Sequence, residues 1–126
     1  MFPSHKVVMV VDDEQDTAEM MAEMARLSGY QPILVTGGNT AIQMIAKERP
    51  DVVVLDVMMP DVSGLDVLRF MRRDPRLQSI PVILISARDR IEDVQAGMEA
   101  GASVYLIKPV AFSDFQGALR QALAPV

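Results

Sequence analysis

Five short aliphatic runs, at residues 7–11, 33–35, 52–55, 82–85 and 104–107, recur along the 126-residue chain and are rich in Val and Ile. They mostly lack the in/out alternation of a strand with one wet face, which is how strands covered on both faces read. Parallel strands need long crossovers, and the segments between the runs have helical spacing and sufficient length. Thr17, Met20, Met21, Met24 and Leu27 form an apolar stripe, with Gly29 placed as a C-terminal cap. Thr40 with Gln43, Asp89 with Glu92 and Ser113 with Gln116 fit the offset of a capping box, predicting helix starts before Ile42, Ile91 and Phe115. Val67, Leu68 and Met71 supply the buried face of the third helix, which stops near Asp74 because Pro75 disfavours helical geometry in the residue before it. Ile91, Val94 and Met98 give the fourth helix a stripe read mainly as core, with its edge open to a partner. Phe112, Phe115, Leu119 and Leu123 face inward on the fifth. Strand and helix alternating five times predict a three-layer α/β sandwich with right-handed crossovers, as one domain over residues 1–126.

Composition narrows the function. Twelve Lys and Arg against seventeen Asp and Glu give a net charge of −5, the wrong sign for gripping nucleic-acid phosphates. Without cysteine there is no disulfide, thiolate metal site or cysteine nucleophile. No apolar run approaches the roughly 18–20 residues that span a bilayer. Residues 1–6 lack a leader pattern, so a soluble cytoplasmic domain is expected. The ten methionines read as core filler rather than ligands, and His5 as a tail residue. Arg69, Arg72 and Arg73 read as a solvated face, with an acidic partner as the second reading.

In open parallel sheets ligands gather beyond the carboxyl ends of the strands. Next after the five runs come Asp12, Asp13 and Glu14; an ordinary Thr36-Gly37-Gly38 turn; Asp56; Ser86; and Lys108 with Pro109. A single strand-end aspartate is usually a cap or loop residue. Three on one rim repel one another unless a cation neutralises them. With only oxygen donors available, a hard ion is indicated: Mg²⁺, with Mn²⁺ as the alternative. Lys108 beside such a site supplies the counter-charge a phosphate needs, and Ser86 a hydrogen bond to another oxygen.

The segments VVMVVDDEQD, DVVVLDVMMPDVSGLDVLRFMR, IPVILISAR and GASVYLIKPV resemble the receiver domains of bacterial two-component response regulators, the CheY-like superfamily. The resemblance implies a flavodoxin-like (βα)5 sheet of order 2-1-3-4-5. It makes Asp56 the phosphoacceptor and gives Mg²⁺ the ligands Asp13 and Asp56, Asp12 through water, and the Met58 carbonyl. Ser86 takes the place of the switch hydroxyl, Tyr105 of the switch aromatic, and Lys108 of the lysine that contacts the phosphoryl group. Lys108-Pro109 resembles the family's cis peptide and Gly64 its loop glycine. Ser86 stands where threonine is frequent, and Ser103 and Val104 where acids are common; no implied ligand is lost. Met58 and Arg88 flank the path of water to an acyl phosphate.

The implied partners are a sensor histidine kinase or histidine phosphotransfer protein and an output protein or fused effector, with a homodimer through helix four, strand five and helix five as a further option. The chain ends at Pro125 and Val126 just after the fifth helix, so the output region is expected elsewhere. The implied role is a signalling phosphoacceptor, not an enzyme acting on an external substrate. A haloacid-dehalogenase-like phosphatase would need an acid at position 58, where Met58 stands. A flavin binder would find Asp12, Asp13 and Glu14 where its phosphate cradle belongs. A pseudo-receiver working only by protein contact is the remaining alternative, opposed by the intact Asp13, Asp56, Ser86 and Lys108 set.

Overall fold

The structure is a computed structural model and describes residues 5–124. The readings that rest on residues 1–4, on Pro125 and on Val126 lie outside the described residues. Strands β1 (Val7–Val11), β2 (Gln31–Val35), β3 (Val52–Asp56), β4 (Val82–Ser86) and β5 (Val104–Ile107) alternate with helices α1 (Gln15–Leu27), α2 (Gly38–Glu48), α3 (Gly64–Arg73), α4 (Ile91–Glu99) and α5 (Phe112–Ala122). All pairings are parallel, in the order β2-β1-β3-β4-β5. The expected three-layer arrangement is therefore present. Among the described residues no helix is long and apolar enough to cross a membrane.

Period-two geometry divides each central strand between two cores. Val8, Val10, Val52, Val54, Ile83 and Ile85 pack beneath α1 and α5, against Met21, Phe115 and Leu119. Met9, Val11, Val53, Leu55, Val82 and Leu84 pack beneath α2 and α3, against Ile45, Leu68 and Met71. Every residue of β3 and β4 is buried, which explains why those runs read as continuously apolar.

The helices depart from expectation in their faces and starts. On α1 the buried positions are Ala18, Met21, Ala22 and Ala25, while Met20 is exposed and Leu27 is 62% exposed. Of the expected stripe Met21 is buried and Met24 packs partly buried on the same core, while Ala18, Ala22 and Ala25 take the other buried positions and Met20 and Leu27 fall outside. Gly29 does come just after the end of α1, at φ +94. Helix α2 begins at Gly38 and α5 at Phe112, which puts Thr40 and Ser113 inside the first turns. Helix α4 starts at Ile91 with Arg90, not Asp89, as its N-cap, and none of α2, α4 and α5 has a side-chain cap on its N-cap residue. The one N-cap side chain that caps a backbone N–H of its own helix is Ser63, which accepts from the Leu65 N–H. Helix α3 ends at Arg73, with Asp74 extended, as Pro75 requires.

Further expectations are corrected by what lies beneath the helices. Ile91 is 73% exposed and Met98 is exposed, and Gly97 is the buried residue of α4. A Cβ on Gly97 would come within 2.9 Å of the Tyr105 ring and 2.8 Å of Leu84, so the ring fills the ground that a core stripe would need. On α5 Phe112 is likewise exposed, leaving Phe115 and Leu119 as its large buried residues. Arg72 is no solvated cation: it donates to the carbonyls of Gly101 (3.0 Å), Gln78 (3.1 Å) and Ile80 (2.8 Å). His5 is exposed but tied, with Nδ1 donating to the Gly29 carbonyl at 3.0 Å.

The buried faces set an expectation for stability. Leu68→Ala should lower unfolding free energy by about 2–5 kcal/mol, as large cavities do, and Leu27→Ala by no more than about 0.5 kcal/mol. Urea denaturation measures both; equal losses would contradict this orientation of α1.

Candidate functional site

Adjacent strands place the site. β1 and β3 pair with Val11 opposite Leu55, so the next residues, Asp12 and Asp56, emerge side by side. β4 lies on the other flank of β3 and ends in Ser86, and β5 delivers Lys108 one residue beyond Ile107. Asp12, Asp56 and Ser86 are the buried polar side chains of the described residues, with Asp56 only 4% exposed. The sheet's carboxyl edge is thus both polar and largely dry.

Each of the three is fastened by the same local device. The Glu14 N–H donates to Asp12 Oδ1 (2.9 Å), the Met58 N–H to Asp56 Oδ1 (3.3 Å), and the Arg88 N–H to Ser86 Oγ (3.1 Å). Short polar side chains readily bond the backbone two residues on where a strand turns into a loop. This orients each group and leaves one oxygen of each aspartate for other work. Lys108 reaches that second pair, with Nζ 3.1 Å from Asp12 Oδ2 and 3.5 Å from Asp56 Oδ2.

Two buried carboxylates share one ammonium, and the imbalance appears in the proton affinity of Asp56. Burial pushes the Asp56 carboxyl up from 3.8 to about 6; the Asp12 charge adds to the rise, while Lys108 and the Met58 N–H oppose it. Burial pulls the Lys108 ammonium down, but its hydrogen bond to Asp12 and the two carboxylate charges outweigh this and leave it raised. Asp13 is exposed, and one of its oxygens lies within 4.8 Å of oxygens from both Asp12 and Asp56. An all-oxygen set carrying surplus negative charge fits a hard divalent cation such as Mg²⁺.

Gly64 and Tyr105 border this cluster. A Cβ on Gly64 would stand 2.1 Å from the Asp56 carbonyl oxygen, so close backbone approach, not a positive φ, demands glycine. The Tyr105 hydroxyl donates to the Arg88 carbonyl at 3.0 Å, and its ring lines a cavity of about 330 Å³ together with Val57, Met58, Leu65 and Ala96. Arg88 closes one side, with Nε 3.3 Å from Met58 Sδ and Nη1 3.8 Å from Asp93. The Lys108-Pro109 bond is cis. Every residue singled out in the sequence for this site therefore lies at or beside one edge of the sheet. The sequence reading passed over Asp61, whose carboxylate accepts from the backbone of α2; its one signal was a helix opening on Gly37 and Gly38, with no side chain to cap itself.

A family model described as response regulator receiver domain matches residues 8–120. The probable transcriptional regulatory protein TcrX of Mycobacterium tuberculosis is 43% identical over 92% of this chain and 49% of its own length. Response regulator MprA of Mycolicibacterium vanbaalenii is 38% identical over 92% of this chain and 49% of its own. The chain thus spans about half the length of these curated relatives. Among solved structures, chemotaxis response regulator CheY4 of Vibrio cholerae superposes with a TM-score of 0.89 at 25% identity, over 95% of this chain and all of that one. The Francisella response regulator 1452 receiver domain gives 0.83 at 28% identity, over 93% of each chain.

The raised Asp56 carboxyl has a consequence for stability. Its folded value lies above the ordinary one, so its contribution is full below about pH 4 and is lost as pH rises to about 6. Asp56→Asn, which removes the buried charge, should stabilise the metal-free protein at neutral pH by on the order of 1–3 kcal/mol and flatten the fall between about pH 4 and 6. Urea unfolding in a chelator across that range reads it; an unchanged profile would remove the charge crowding.

Proposed function

The chain belongs to the response regulator receiver domain family, and from that premise we propose that it is a phosphoacceptor switch whose acceptor is Asp56. The observation that carries the reading is the cluster itself: a buried aspartate whose carboxyl is raised to about 6, flanked by a second buried aspartate, with one lysine amine 3.5 Å away. At neutral pH that carboxyl is mostly ionised and is a competent nucleophile.

Asp12, Asp13, Asp56 and the Met58 carbonyl would hold Mg²⁺, directly or through water, and the ion when bound supplies charge neutralisation to the transferring group. The free Asp56 oxygen attacks phosphorus on a phosphohistidine of a sensor kinase or phosphotransfer protein. The P–N bond breaks, its electron pair returns to the imidazole, and an aspartyl phosphate remains. Lys108 sits where it can pair with a phosphoryl oxygen, exchanging one anionic partner for another. The Ser86 hydroxyl accepts from Arg88 and keeps its own hydrogen free to donate. As Ser86 is drawn to the phosphoryl group, Tyr105 leaves the Arg88 carbonyl and turns inward, shifting the face of α4, β5 and α5. A two-state equilibrium biased by the new charge suffices.

The reading treats residues 1–126 as one receiver unit acting in the cytoplasm. Its output is another protein or a fused effector, with dimerisation through the α4-β5-α5 face as one means of control. The chain catalyses its own phosphorylation and dephosphorylation and turns over no separate substrate.

Acetyl phosphate with Mg²⁺ should add one phosphoryl group, seen by intact mass, and Asp56→Asn should abolish the addition; equal labelling of the variant would move the acceptor elsewhere. Mg²⁺ affinity should fall by about tenfold or more in Asp13→Asn, because a charged ligand becomes neutral. Calorimetric titration measures this, and an unaltered affinity would place the ion away from Asp13.

A further inference from the structure

We propose that Asp61 is a positioning residue for the acidic site, holding the β3–α3 loop in register with Asp56; the role rests on the phosphoacceptor reading above. Its carboxylate accepts from the Gly38 N–H at 3.2 Å and the Asn39 N–H at 3.1 Å, the first two amides of α2. Those bonds keep its carboxyl below the usual range. Helix α2 cannot cap itself, because its N-cap is Gly37. The helix therefore takes its cap from a residue far along the chain, and the loop takes its anchor from the helix.

Steric detail shows that the two segments are built to meet. Gly37 stands at φ +152, and a Cβ there would lie 3.3 Å from Asp61 Oδ2. A Cβ on Gly38 would come within 2.8 Å of the Val62 side chain and 2.9 Å of the Val62 carbonyl. Both positions thus favour glycine where the loop crosses the helix end. Met59 and Val62, on either side of Asp61, pack into the core that contains Ala41 and Ile45 of α2.

The tether reaches the acidic cluster through Met58. The loop starts at Val57, whose N–H donates to the Ile85 carbonyl (3.0 Å), and closes where the Gly64 N–H donates to the Val57 carbonyl (2.8 Å). Between those points lies Met58, whose N–H orients Asp56 and whose carbonyl belongs to the proposed ion set. Asp61 provides the polar tether of that span to α2. Without it the Met58 backbone is held less firmly, so ion binding should weaken while the acceptor keeps its chemistry.

Asp61→Ala and Asp61→Asn, compared with the unaltered chain, separate positioning from simple charge. Three measurements are needed: calorimetric Mg²⁺ titration, metal-free thermal melting, and acetyl phosphate labelling over a range of Mg²⁺. Asp61→Ala should weaken Mg²⁺ binding about three- to tenfold, the lower range for groups that support a metal ligand from behind. The Mg²⁺ needed for half-maximal labelling should rise by the same factor, with the rate at saturating Mg²⁺ kept within about twofold. Asp61→Asn retains an oxygen that caps as well as aspartate and should recover most of the affinity. If Asn is as weak as Ala, long-range charge accounts for the effect and positioning is overturned. If Ala lowers the melting temperature with no change in Mg²⁺ affinity, Asp61 is only a helix cap and the proposal fails. If the unaltered chain neither binds Mg²⁺ nor is labelled, the phosphoacceptor reading itself fails and takes this inference with it.

Discussion

Two carboxylates held side by side out of water, with a single ammonium between them, form the constraint around which this molecule is arranged. Paired strands lie about 4.8 Å apart, so side chains leaving adjacent strand ends at matched register have little freedom to separate. Asp12 and Asp56 occupy such positions, and β1 and β3, buried on both faces, give them no route of retreat. Lys108 crosses from the outer strand to meet both, a reach suited to a long flexible stem. Burial raises Asp56, the unspent negative charge of Asp12 adds to the rise, and that charge makes the edge receptive to a cation.

The surroundings keep that arrangement in place without neutralising it. The backbone bonds at Glu14, Met58 and Arg88 each satisfy one lone-pair direction of a buried side chain and set its angle. Among the described residues no buried side-chain nitrogen or oxygen lacks a hydrogen-bond partner. Among the described residues the like-charge repulsion, which a ligand of the right charge can relieve, is thus not compounded by buried side chains lacking hydrogen bonds, which it could not relieve. The close contact of Gly64 with the Asp56 carbonyl joins the start of α3 to the same edge, so the loop has a short, defined path.

The fold and the site were legible in the sequence for one reason: both depend on residue type at strand ends. Unbroken Val and Ile runs mark buried strands, and the residue after each run must sit at the carboxyl edge, so spacing alone gathers Asp12, Asp56, Ser86 and Lys108. Helix detail was harder to read because its determinants are not local. The cap of α2 comes from Asp61, beyond the next strand. The inward face of α1 is chosen by how closely the helix approaches the sheet, which favours Ala18, Ala22 and Ala25 over Met20 and Leu27. Arg72 looked like one of a run of surface cations because its acceptors are main-chain carbonyls of Gln78, Ile80 and Gly101, and carbonyls carry no sequence signature.

The seat of α4 has a mechanical corollary. A helix normally locks onto a sheet by knobs of aliphatic side chain dropped into gaps between strands, and each knob resists rolling. α4 instead brings the bare backbone of Gly97 against one side of the Tyr105 ring and the tip of Leu84. A turn of the Tyr105 ring therefore changes the seat of α4 directly, because no side chain at position 97 stands between helix backbone and ring. The same smoothness leaves Ile91 and Met98 outside the core, where any such roll changes the grease-rich profile that the surface offers to its surroundings.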